Sequence, residues 1–515
     1  MLSKIYSATL IGLQASKIEV EAESVQGKPV LTVIGLAEKA LEEARERLTS
    51  ALTACGVRLK CKKTLINLAP ADLKKTGSNL ELAMAMALFE LTREKRVTRD
   101  NDIFFGELAL DGSLRAIRGA LPLVNFAKKC GFTRVFLPSV NVAEVEIVSG
   151  IQIFPVPNLQ VLLGFLEGKM DLACVQPHQY VPDVAATTTD FADIVGQTVA
   201  KRCLEIAAAG GHNLLLSGVP GAGKSLLAQA LPSILPPLTE EEALELTAIY
   251  SVAGLNQEQG LITMRPCRAP HHTISAIGLA GGGVNLMPGV MSLAHNGILF
   301  LDELAEFRRD ALEIMRQPLE TGIITIVRAH GRVTYPADVS LIAATNPCPC
   351  GYLGSKKRQC RCSRHEIERY QRKLSGPILD RLDMQIFVAE VEIDQLTQKQ
   401  KQKAENSATV RARVVRARER QRERYANLGL KISTNHQLTS AQIREYLPLA
   451  SGARDLLRQA AGKWQLSARS YFKLIKVART IADLAPVAAK EIPVAAVAES
   501  LQYRQTKTRD SEILK

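Results

Sequence analysis

The stretch LLLSGVPGAGKS, residues 214–225, constrains the fold of this chain more than any other feature. It holds the pattern Gly218-x-x-x-x-Gly223-Lys224-Ser225, after an apolar run typical of a strand and before a helical pattern. In that context, glycine-rich backbone N–H groups and a helix N-terminus surround phosphates. The stretch therefore predicts a nucleotide-binding loop on a parallel α/β sheet, formed by Gly218, Val219, Pro220, Gly221, Ala222, Gly223, Lys224 and Ser225.

Two side chains of this loop have specific expected roles. Lys224 is expected at the β- and γ-phosphates of ATP, and Ser225 at a bound Mg²⁺ ion. The alternative, a chance glycine-rich loop, is disfavoured because the strand and helix patterns flank the loop in the required order.

Two further apolar runs end in polar residues. ILFL is followed by Asp302 and Glu303, and SLIAATN places Asn346 at its end. We expect Asp302 beside Mg²⁺, Glu303 polarising the attacking water and Asn346 orienting that water against the γ-phosphate. The alternatives are an ordinary strand ending in acids and a turn asparagine. Together with the loop, the set predicts ATP hydrolysis.

Two arginines complete the candidate catalytic residues. Arg381 lies in SGPILDRLD, and Arg469 lies in SARSYFK at the start of a helical pattern. Either guanidinium could neutralise charge on the γ-phosphate, within one chain or from a neighbouring subunit. The alternative for each is a surface salt bridge.

The 515 residues are enough for about three domains. Residues 1–170 alternate strand and helix patterns, and residues 171–190 have the composition of a linker. Residues 191–390 alternate helices with apolar strands, which predicts a parallel sheet. Residues 391–430 form a polar, basic connector, and residues 431–515 show helical patterns only. The predicted fold class is α/β with a helical C-terminal domain.

Positive charge is concentrated at the C-terminal end. Residues 391–515 carry 24 Lys and Arg against 12 Asp and Glu, a net +12, while the whole chain carries +13. Such a region favours an anionic polymer, although a solvated basic surface is the alternative. The arginines of residues 399–424 predict sequence-independent contact with a phosphate backbone. These are Arg411, Arg413, Arg416, Arg418, Arg420, Arg422 and Arg424.

Four cysteines lie close together in CPCGYLGSKKRQCRC, at Cys348, Cys350, Cys360 and Cys362. Four thiolates suit a structural Zn²⁺ site, and free thiols in a loop are the alternative. The spacing of His271, His272 and His295 specifies no metal site, so these residues are expected to be core or backbone-capping histidines. The sequence has no recognisable signal peptide and no run of about 18 apolar residues. A cytoplasmic protein without a membrane span is expected.

The set of motifs resembles the AAA+ ATPases and, more narrowly, the magnesium-chelatase-like family that includes ComM, also called YifB. The resemblance extends over nearly the whole chain. Its most specific segments are FADIVGQTVAKRCLEIAAAGGHNLLLSGVPGAGKS, RPCRAPHHTIS, PGVMSLAHNGILFLDELAEF, MRQPLETG, LIAATNPCPCG and LSARSYFKLIKVARTIADLA.

The resemblance implies a role for each candidate residue. Gly218–Ser225 would be Walker A and Asp302-Glu303 Walker B. Asn346 would be sensor 1, Arg381 an arginine finger and Arg469 sensor 2. The resemblance also implies a helical lid domain and a ring, of six subunits, with ATP between them. Residues 195–197, Val195, Gly196 and Gln197, would lie near the adenine, with a helix-entry turn as the alternative.

The N-terminal region resembles the Lon-protease-like, ribosomal S5-type α+β fold, through GELALDGSLRAIRGALPLVNFAKKCG and LAPADLKKTGSNLELAMAMALF. An active Lon-type site needs a serine nucleophile activated by a lysine. The alignment of motifs puts Asn79 and Leu123 at these positions. A one-residue shift would restore Ser78 but not the lysine, so a scaffold or interaction domain is expected rather than a protease.

The related subgroup also carries a hairpin before the third strand. Here GIITIVRAHGRVTYPADV, residues 322–339, alternates and turns at Ala329-His330-Gly331. Arg328, His330 and Arg332 would lie at its tip, where a ring could present them to DNA in a central pore. The alternative is a solvent-facing hairpin with incidental basic residues.

The family resemblance implies an ATP-driven DNA helicase that promotes branch migration in natural transformation. A protein-remodelling or metal-insertion motor, like the magnesium chelatase subunits, is the alternative. A DNA-binding scaffold that binds ATP but scarcely hydrolyses it is a third hypothesis, which Glu303 and Asn346 argue against.

Overall fold

The computed structural model describes residues 2–28, 30–36, 38–58, 63–71, 73, 75, 78–183, 189–256, 260–328, 331–355, 357–374, 376–390, 405–487 and 489–504. None of the helices in these ranges is both long enough and apolar enough to span a bilayer.

The N-terminal region is built on a four-stranded sheet. Its strands are β1 (Leu2–Ile11), β2 (Gln14–Val25), β3 (Leu31–Ile34) and β4 (Lys63–Ala69). They lie in the order β1-β2-β4-β3, with β3 and β4 parallel and the other pairs antiparallel. In β2 the buried Ile18, Val20 and Ala22 alternate with glutamates, as the two-residue period of a half-buried strand requires.

A second, three-stranded parallel sheet completes this region, in the order β5-β8-β9. The remaining strands are β5 (Asp102–Phe104), β6 (Glu107–Leu108), β7 (Leu114–Arg115), β8 (Arg134–Pro138) and β9 (Gln152–Val156). The helices are α1 (Glu38–Ala54), α2 (Glu81–Arg93), α3 (Ala120–Lys129), α4 (Val142–Val145) and α5 (Leu159–Leu166). The apolar α2 is buried along nearly its whole length, which explains its lack of a polar face.

The central region contains a parallel sheet with the order β11-β14-β17-β10-β18. The strands of the central region are β10 (Leu214–Gly218), β11 (Cys267–Arg268), β12 (Gly281–Gly282), β13 (Met287–Pro288), β14 (Ile298–Leu301), β15 (Ile323–Arg328), β16 (Gly331–Pro336), β17 (Ser340–Thr345) and β18 (Met384–Val388). The pairs β12–β13 and β15–β16 form separate two-stranded sheets. Every residue of β10 and β14 is buried, as expected for strands covered on both faces. The predicted α/β fold with a parallel sheet is confirmed.

Helices flank this sheet and connect its strands. They are α6 (Thr198–Gly210), α7 (Lys224–Ala230), α8 (Glu240–Ala253), α9 (Ala276–Ala280), α10 (Val290–Leu293), α11 (Arg309–Ile314), α12 (Pro318–Thr321), α13 (Arg364–Lys373) and α14 (Gly376–Leu379). A capping box starts α8, where Thr239 and Glu242 exchange side-chain and backbone hydrogen bonds.

The C-terminal region is helical, as predicted. Its helices are α15 (Ser407–Asn427), α16 (Ser440–Tyr446), α17 (Ser451–Trp464), α18 (Ala468–Leu484) and α19 (Val494–Gln502). Apolar side chains of α15, α18 and α19 share one core with α6 and with β10. The helical region therefore packs directly against the central sheet.

The prediction that the arginines of α15 form a phosphate-binding surface is wrong. Of the seven, only Arg416 is exposed. The other six are at least half-buried, and each contacts a carbonyl or carboxylate oxygen of the protein. These six are Arg411, Arg413, Arg418, Arg420, Arg422 and Arg424.

Arg418 and Arg424 show how these arginines contact the rest of the protein. Arg418 donates two hydrogen bonds to the carbonyl of Ala208, in the last turn of α6, and burial lowers its pKa to about 9. Arg424 donates to the Asp483 carboxylate near the end of α18. The guanidinium groups thus join α15 to neighbouring helices, and that of Arg418 pairs with a carbonyl that the helix end leaves without an intrahelical partner.

In the described residues the N-terminal region contacts the central region at several places, and two of these involve the β15–β16 hairpin and α8. The turn between β1 and β2 meets the β15–β16 hairpin, where a Cβ on Gly12 would lie 2.2 Å from Val333 Cγ1. At the second place, Gly119 N donates to Ser251 O of α8 over 3.2 Å. The N-terminal region therefore contacts both the hairpin and α8.

Candidate active site

The predicted phosphate loop joins β10 to α7. Gly221 and Gly223 have φ angles of 80° and 89°, which non-glycine residues adopt at a cost. Gly218 is required for a different reason, because a Cβ there would lie 2.5 Å from the carbonyl oxygen of Val388 on β18. The loop conformation and the tight strand packing thus account for three of its glycines.

Lys224 reaches back across the loop. Its Nζ donates to Gly218 O over 2.7 Å, to Val219 O over 3.0 Å and to Asn346 Oδ1 over 3.2 Å. Burial lowers the pKa of this ammonium, and the charges of Asp302 and Glu303 oppose that effect. The last contact brings Asn346, from the end of β17, to the phosphate loop.

The two residues expected at Mg²⁺ touch each other. Ser225 Oγ donates to Asp302 Oδ2 over 2.9 Å, and both residues are open to solvent. A hydroxyl and a carboxylate oxygen are ligands that Mg²⁺ accepts alongside phosphate oxygens. The residues present therefore fit a nucleotide-bound Mg²⁺ ion.

Glu303 follows Asp302 at the end of β14, with φ of 50° in the left-handed region. Its Oε2 lies 3.6 Å from His272 Nδ1. His272 also packs against His271, with 4.1 Å between ring centroids. The sequence-based interpretation of His272 as a core or capping residue missed this contact. The signal that could have placed His272 near Glu303 is the RAPHHTIS segment, which continues from β11, a strand parallel to β14.

The other two histidines fit the expected capping role. His295 Nδ1 accepts a hydrogen bond from Asp338 N over 3.1 Å. His271 Nδ1 accepts from Thr273 N at 3.4 Å and contacts Thr273 Oγ1 at 2.9 Å, which closes a local turn.

Arg381 and Arg469 lie on the same carboxylate. Arg381 Nη2 is 2.7 Å from Glu320 Oε1, and Arg469 Nη2 contacts the same oxygen. Burial lowers the pKa of Arg381, and the positive charge of Arg469 adds to that effect, while Glu320 opposes it. The structure brings the two candidate arginines together, on a glutamate that sequence reasoning did not single out.

A cleft of about 470 Å³ adjoins the phosphate loop. This volume lies within the range of small-molecule sites. Gln197 fixes one side of the cleft, because its Nε2 donates to Ala222 O over 3.2 Å and to Ala389 O over 2.7 Å. Residues that face the cleft besides the loop include Val195, Gln197, Leu226, Tyr352, Arg358 and Glu390.

The four cysteines converge on one point. Cys348 Sγ lies 3.5 Å from Cys350 Sγ and 3.6 Å from Cys360 Sγ, and the Cys350–Cys360 distance is also 3.6 Å. All four sulfur atoms, including Cys362 Sγ, lie within 4.8 Å of one another. Tetrahedral zinc with bonds of about 2.3 Å separates its sulfurs by about 3.8 Å. The cluster therefore has the dimensions of a Cys₄ zinc site.

Backbone groups prepare part of this cluster for a cation. The N–H groups of Tyr352 and Arg361 lower the pKa of Cys350 to about 6. Burial raises the pKa of Cys348 to about 12. A bound metal would favour the thiolate at both positions, because it supplies the missing positive charge.

A second group with metal-ligand chemistry is His212, Asp383 and His436. Asp383 Oδ2 lies 3.0 Å from His436 Nδ1, and Lys473 Nζ lies 3.1 Å from Asp383 Oδ1. Burial alone would raise the pKa of Asp383, but Lys473 and His436 hold it well below its usual range. Because an ammonium already neutralises the carboxylate, this is a buried ion network rather than a good metal site.

This network links the C-terminal helices to the sheet. Asp383 Oδ2 accepts from Asn213 N at the entry to β10, over 3.0 Å. Asn213 Nδ2 in turn donates to Arg381 O over 3.2 Å. The backbone of a candidate catalytic arginine is therefore tied to the first residues before the phosphate-loop strand.

The predicted hairpin is formed by β15 and β16, with Arg328 opposite Gly331. Arg328 and Arg332 are exposed, while His330 and Ala329 lie outside the described residues. A second, glycine-rich loop lies beside it, because Tyr335 Oη donates to Leu286 O over 2.8 Å. Val284 of that loop is 82% exposed. The run of three glycines at 281–283 was the signal for this loop.

The Lon-type positions in the N-terminal region hold other contacts. Asn79 Nδ2 donates to Ala8 O over 2.7 Å, and Leu123 is fully buried. The adjacent Ser78 hydroxyl donates to the carboxylate of Glu107. Each candidate position therefore takes part in packing or structural hydrogen bonding.

Family models for magnesium chelatase match three parts of the chain. The model described as subunit ChlI of Mg-chelatase matches residues 20–141. That described as magnesium chelatase, subunit ChlI, matches residues 190–396, and its C-terminal counterpart matches residues 404–504. The second match contains the phosphate loop and the cysteine cluster.

Several proteins are similar over nearly the full length. YifB of Escherichia coli strain K12 is 41% identical over 94% of this chain and 93% of its own length. The competence protein ComM of Haemophilus influenzae is 38% identical over 98% of this chain and 97% of its own. The magnesium-chelatase 67 kDa subunit of Chlorobaculum tepidum is 29% identical over 30% of this chain and 23% of its own.

Proposed function

Because this chain belongs to the magnesium-chelatase-like family of AAA+ ATPases that includes YifB and ComM, we propose that it hydrolyses ATP with Mg²⁺ to move on DNA. It would act in the cytoplasm as a homo-oligomeric ring of six subunits. In this proposal the protein is a helicase that promotes branch migration of recombination intermediates during natural transformation. The observation that supports ATP hydrolysis is a pair of contacts at the phosphate loop. Lys224 bonds Asn346, and Ser225 bonds Asp302.

Each residue of the site has a chemical role in this proposal. The loop backbone and Lys224 hold the phosphates, while Ser225 and Asp302 hold Mg²⁺. Glu303 polarises the attacking water and Asn346 orients it. Arg381 and Arg469 neutralise the charge that develops on the γ-phosphate in the transition state. To do so, their guanidinium groups would exchange the Glu320 carboxylate for the phosphate.

The DNA part rests on the β15–β16 hairpin and on the ComM relative. Arg328 and Arg332 are exposed near the end of the hairpin, and within the described residues neither forms an ion pair with a carboxylate. His330, which lies outside the described residues, is between them in the sequence. Guanidinium groups on a ring of such tips would contact backbone phosphates without reading sequence. The arginines of α15 no longer support this partner, so the proposal of DNA rests on the hairpin and on the ComM relative.

A protein-remodelling or metal-insertion motor is the second candidate function. The observation in its favour is the likeness of the nucleotide-site region to magnesium chelatase, in the family model and in the 67 kDa subunit. In either motor the N-terminal region would serve as a scaffold or interaction domain without protease activity.

We also propose a structural Zn²⁺ ion on Cys348, Cys350, Cys360 and Cys362. Sulfur separations of 3.5–3.6 Å and backbone N–H donors toward Cys350 support it. When bound, the ion would close the loop between β17 and α13.

Steady-state ATP hydrolysis, with no DNA or with single-stranded, duplex or four-way-junction DNA, tests the function. Glu303→Gln serves as the blank, and Glu313→Gln, an exposed acid on α11, is the matched control. Stimulation that is highest with the junction supports a branch-migration motor. Hydrolysis that is equal with every DNA would instead favour the protein or metal-insertion motor.

A further inference from the structure

The cysteine loop, residues 348–362, is built into the nucleotide site. It begins two residues after Asn346, at the end of β17. Gly351 packs against the phosphate loop so closely that a Cβ there would lie 2.7 Å from Pro220 Cγ. Its φ of 84° adds a second requirement for glycine. The start of the cysteine loop is therefore held directly against the residues expected to bind phosphate.

The middle of the cysteine loop presents two side chains to the adjoining cleft. Arg358 Nη1 donates to Tyr352 Oη over 2.9 Å, and the guanidinium carbon lies 5.2 Å from the centroid of that ring. Both residues line the cleft together with Val195 and Gln197. A phenol ring and a planar guanidinium are groups that stack on a nucleobase and attract an anionic nucleotide.

The same segment is tied to the far side of the cleft. Ser355 Oγ donates to Glu390 Oε1 over 3.0 Å, and it accepts from the N–H groups of Lys357 and Arg358 over 3.1 Å. Glu390 follows β18 and also lines the cleft. The position of Arg358 thus depends on the closed shape of the whole loop.

We propose that the metal-bound cysteine loop forms one wall of the nucleotide pocket, with Tyr352 and Arg358 contacting the base and ribose, so that zinc and nucleotide strengthen each other's binding. This inference rests on the proposed ATP site. Zinc would hold the two ends of the loop together through two cysteines at each end. Without the ion, little apolar packing remains to fix residues 352–358, which are half-buried or exposed where the structure describes them.

Thermodynamic linkage makes the inference quantitative. If zinc raises the affinity for ADP by some factor, ADP must raise the affinity for zinc by the same factor. Couplings of this kind are about 5-fold or larger. Calorimetric titration of the full chain with ADP, before and after removal of zinc by a chelator and after its restoration, measures the first factor. Competition for zinc with a chromogenic chelator, with and without saturating ADP, measures the second.

Point variants distinguish the contribution of the cleft-lining side chains to nucleotide binding from the contribution of the metal. Arg358→Ala should weaken ADP binding about 5-fold while the chain retains about one zinc ion. Arg416→Ala, an exposed arginine on α15 outside the cleft, is its matched control. Cys350→Ser should lose zinc and ADP affinity together, whereas Cys130→Ser, an exposed cysteine outside the cluster, should lose neither.

The outcomes distinguish this inference from the proposed function. If the wild-type chain binds ADP, Lys224→Ala does not, and removal of zinc changes the affinity by less than about twofold, then the coupling is refuted and the ATP site stands. Failure of the purified chain to take up zinc while it binds ADP refutes the coupling as well. Failure of the wild-type chain to bind ADP refutes the ATP site, and the inference falls with it.

Discussion

His272 Nδ1 lies 3.6 Å from Oε2 of Glu303, the carboxylate proposed to polarise the attacking water. Glu303 stands in the left-handed region of backbone space, where a glutamate is disfavoured. The imidazole is therefore placed to limit the orientations of a half-exposed side chain at a strained position. His272 would act on hydrolysis through Glu303, as a positioning residue.

Replacement of His272 by alanine should lower kcat for ATP about 10-fold, because misplacement of a catalytic group by a fraction of an ångström has effects of this size. KM for ATP should change by less than about twofold, since the histidine does not touch the phosphate loop in the described contacts. Steady-state kinetics measure both. His365→Ala, an exposed histidine on α13, is the control. A rise in KM with constant kcat would contradict the positioning role.

Glu320 should compete with the nucleotide for two guanidinium groups. Glu320→Gln is expected to lower the apparent KM for ATP about threefold, because Arg381 and Arg469 lose their shared carboxylate. The melting temperature should hardly change, since both the carboxylate and Arg469 are partly exposed and screened. Kinetics and thermal unfolding test the two statements.

Arg381→Ala and Arg469→Ala are the companion variants. Each should reduce kcat by at least about 100-fold if its guanidinium stabilises the transition state. Loss of activity in Glu320→Gln as severe as in these variants would show that the glutamate holds the arginines in place and does not compete for them.

The hairpin arginines should bind DNA without affecting the hydrolytic site. Arg328→Ala/Arg332→Ala is expected to weaken DNA binding and to reduce the slope of log affinity against log salt by about 2 per bound hairpin. ATP hydrolysis without DNA should remain. Fluorescence anisotropy over a salt series measures the slope. The double variant Arg454→Ala/Arg458→Ala, in exposed positions of α17, removes the same charge and should leave the slope unchanged.

Lys476 should make folding stability depend on pH. Burial lowers its pKa to about 8, from an ordinary value of 10.5. Between pH 8 and 10.5 the unfolded chain binds more protons at this site than the folded chain, so this contribution to stability rises with pH. Below pH 8 both states are protonated, and the buried ammonium is a constant destabilising contribution.

Melting temperatures of the wild type and Lys476→Met, compared near the two ends of that window, test the effect. The wild type should gain stability relative to the variant as the pH rises. Lys463→Met, an exposed lysine on α17, should instead follow the wild type. Parallel curves for the wild type and Lys476→Met would contradict the assigned shift.

The clustering of the candidate nucleotide-site residues was predictable because its signals are local. Each of the segments at 214–225, 298–303 and 340–346 carries its own strand, and parallel strands that share a sheet end at the same edge. The sequence therefore predicted that Lys224, Asp302 and Asn346 would meet. The cysteine cluster was predictable for the same reason, since all four cysteines lie within 15 residues of sequence.

Side-chain contacts between residues far apart in the sequence were not predictable. In the sequence, the arginines of α15 have the pattern of a nucleic-acid-binding surface. Their actual partners include Ala208 and Asp483, which lie some 60 to 210 positions away in the chain. Glu320, which contacts both Arg381 and Arg469, lies in the segment MRQPLETG, but nothing in that segment indicates its two distant arginine partners. The sequence analysis also made no specific prediction of the β1–β2 hairpin, although the alternation of Ile18, Val20 and Ala22 with glutamates indicates a strand.

The close contact at Gly12 has a mechanical consequence. The turn between β1 and β2 abuts Val333 at the hairpin, and the same N-terminal region is hydrogen-bonded to α8 through Gly119 and Ser251. Two parts of the central region are thus connected through the N-terminal region. A hairpin that swung independently of α8 would have to break one of these contacts. The hairpin and α8 are therefore expected to move together with the N-terminal region.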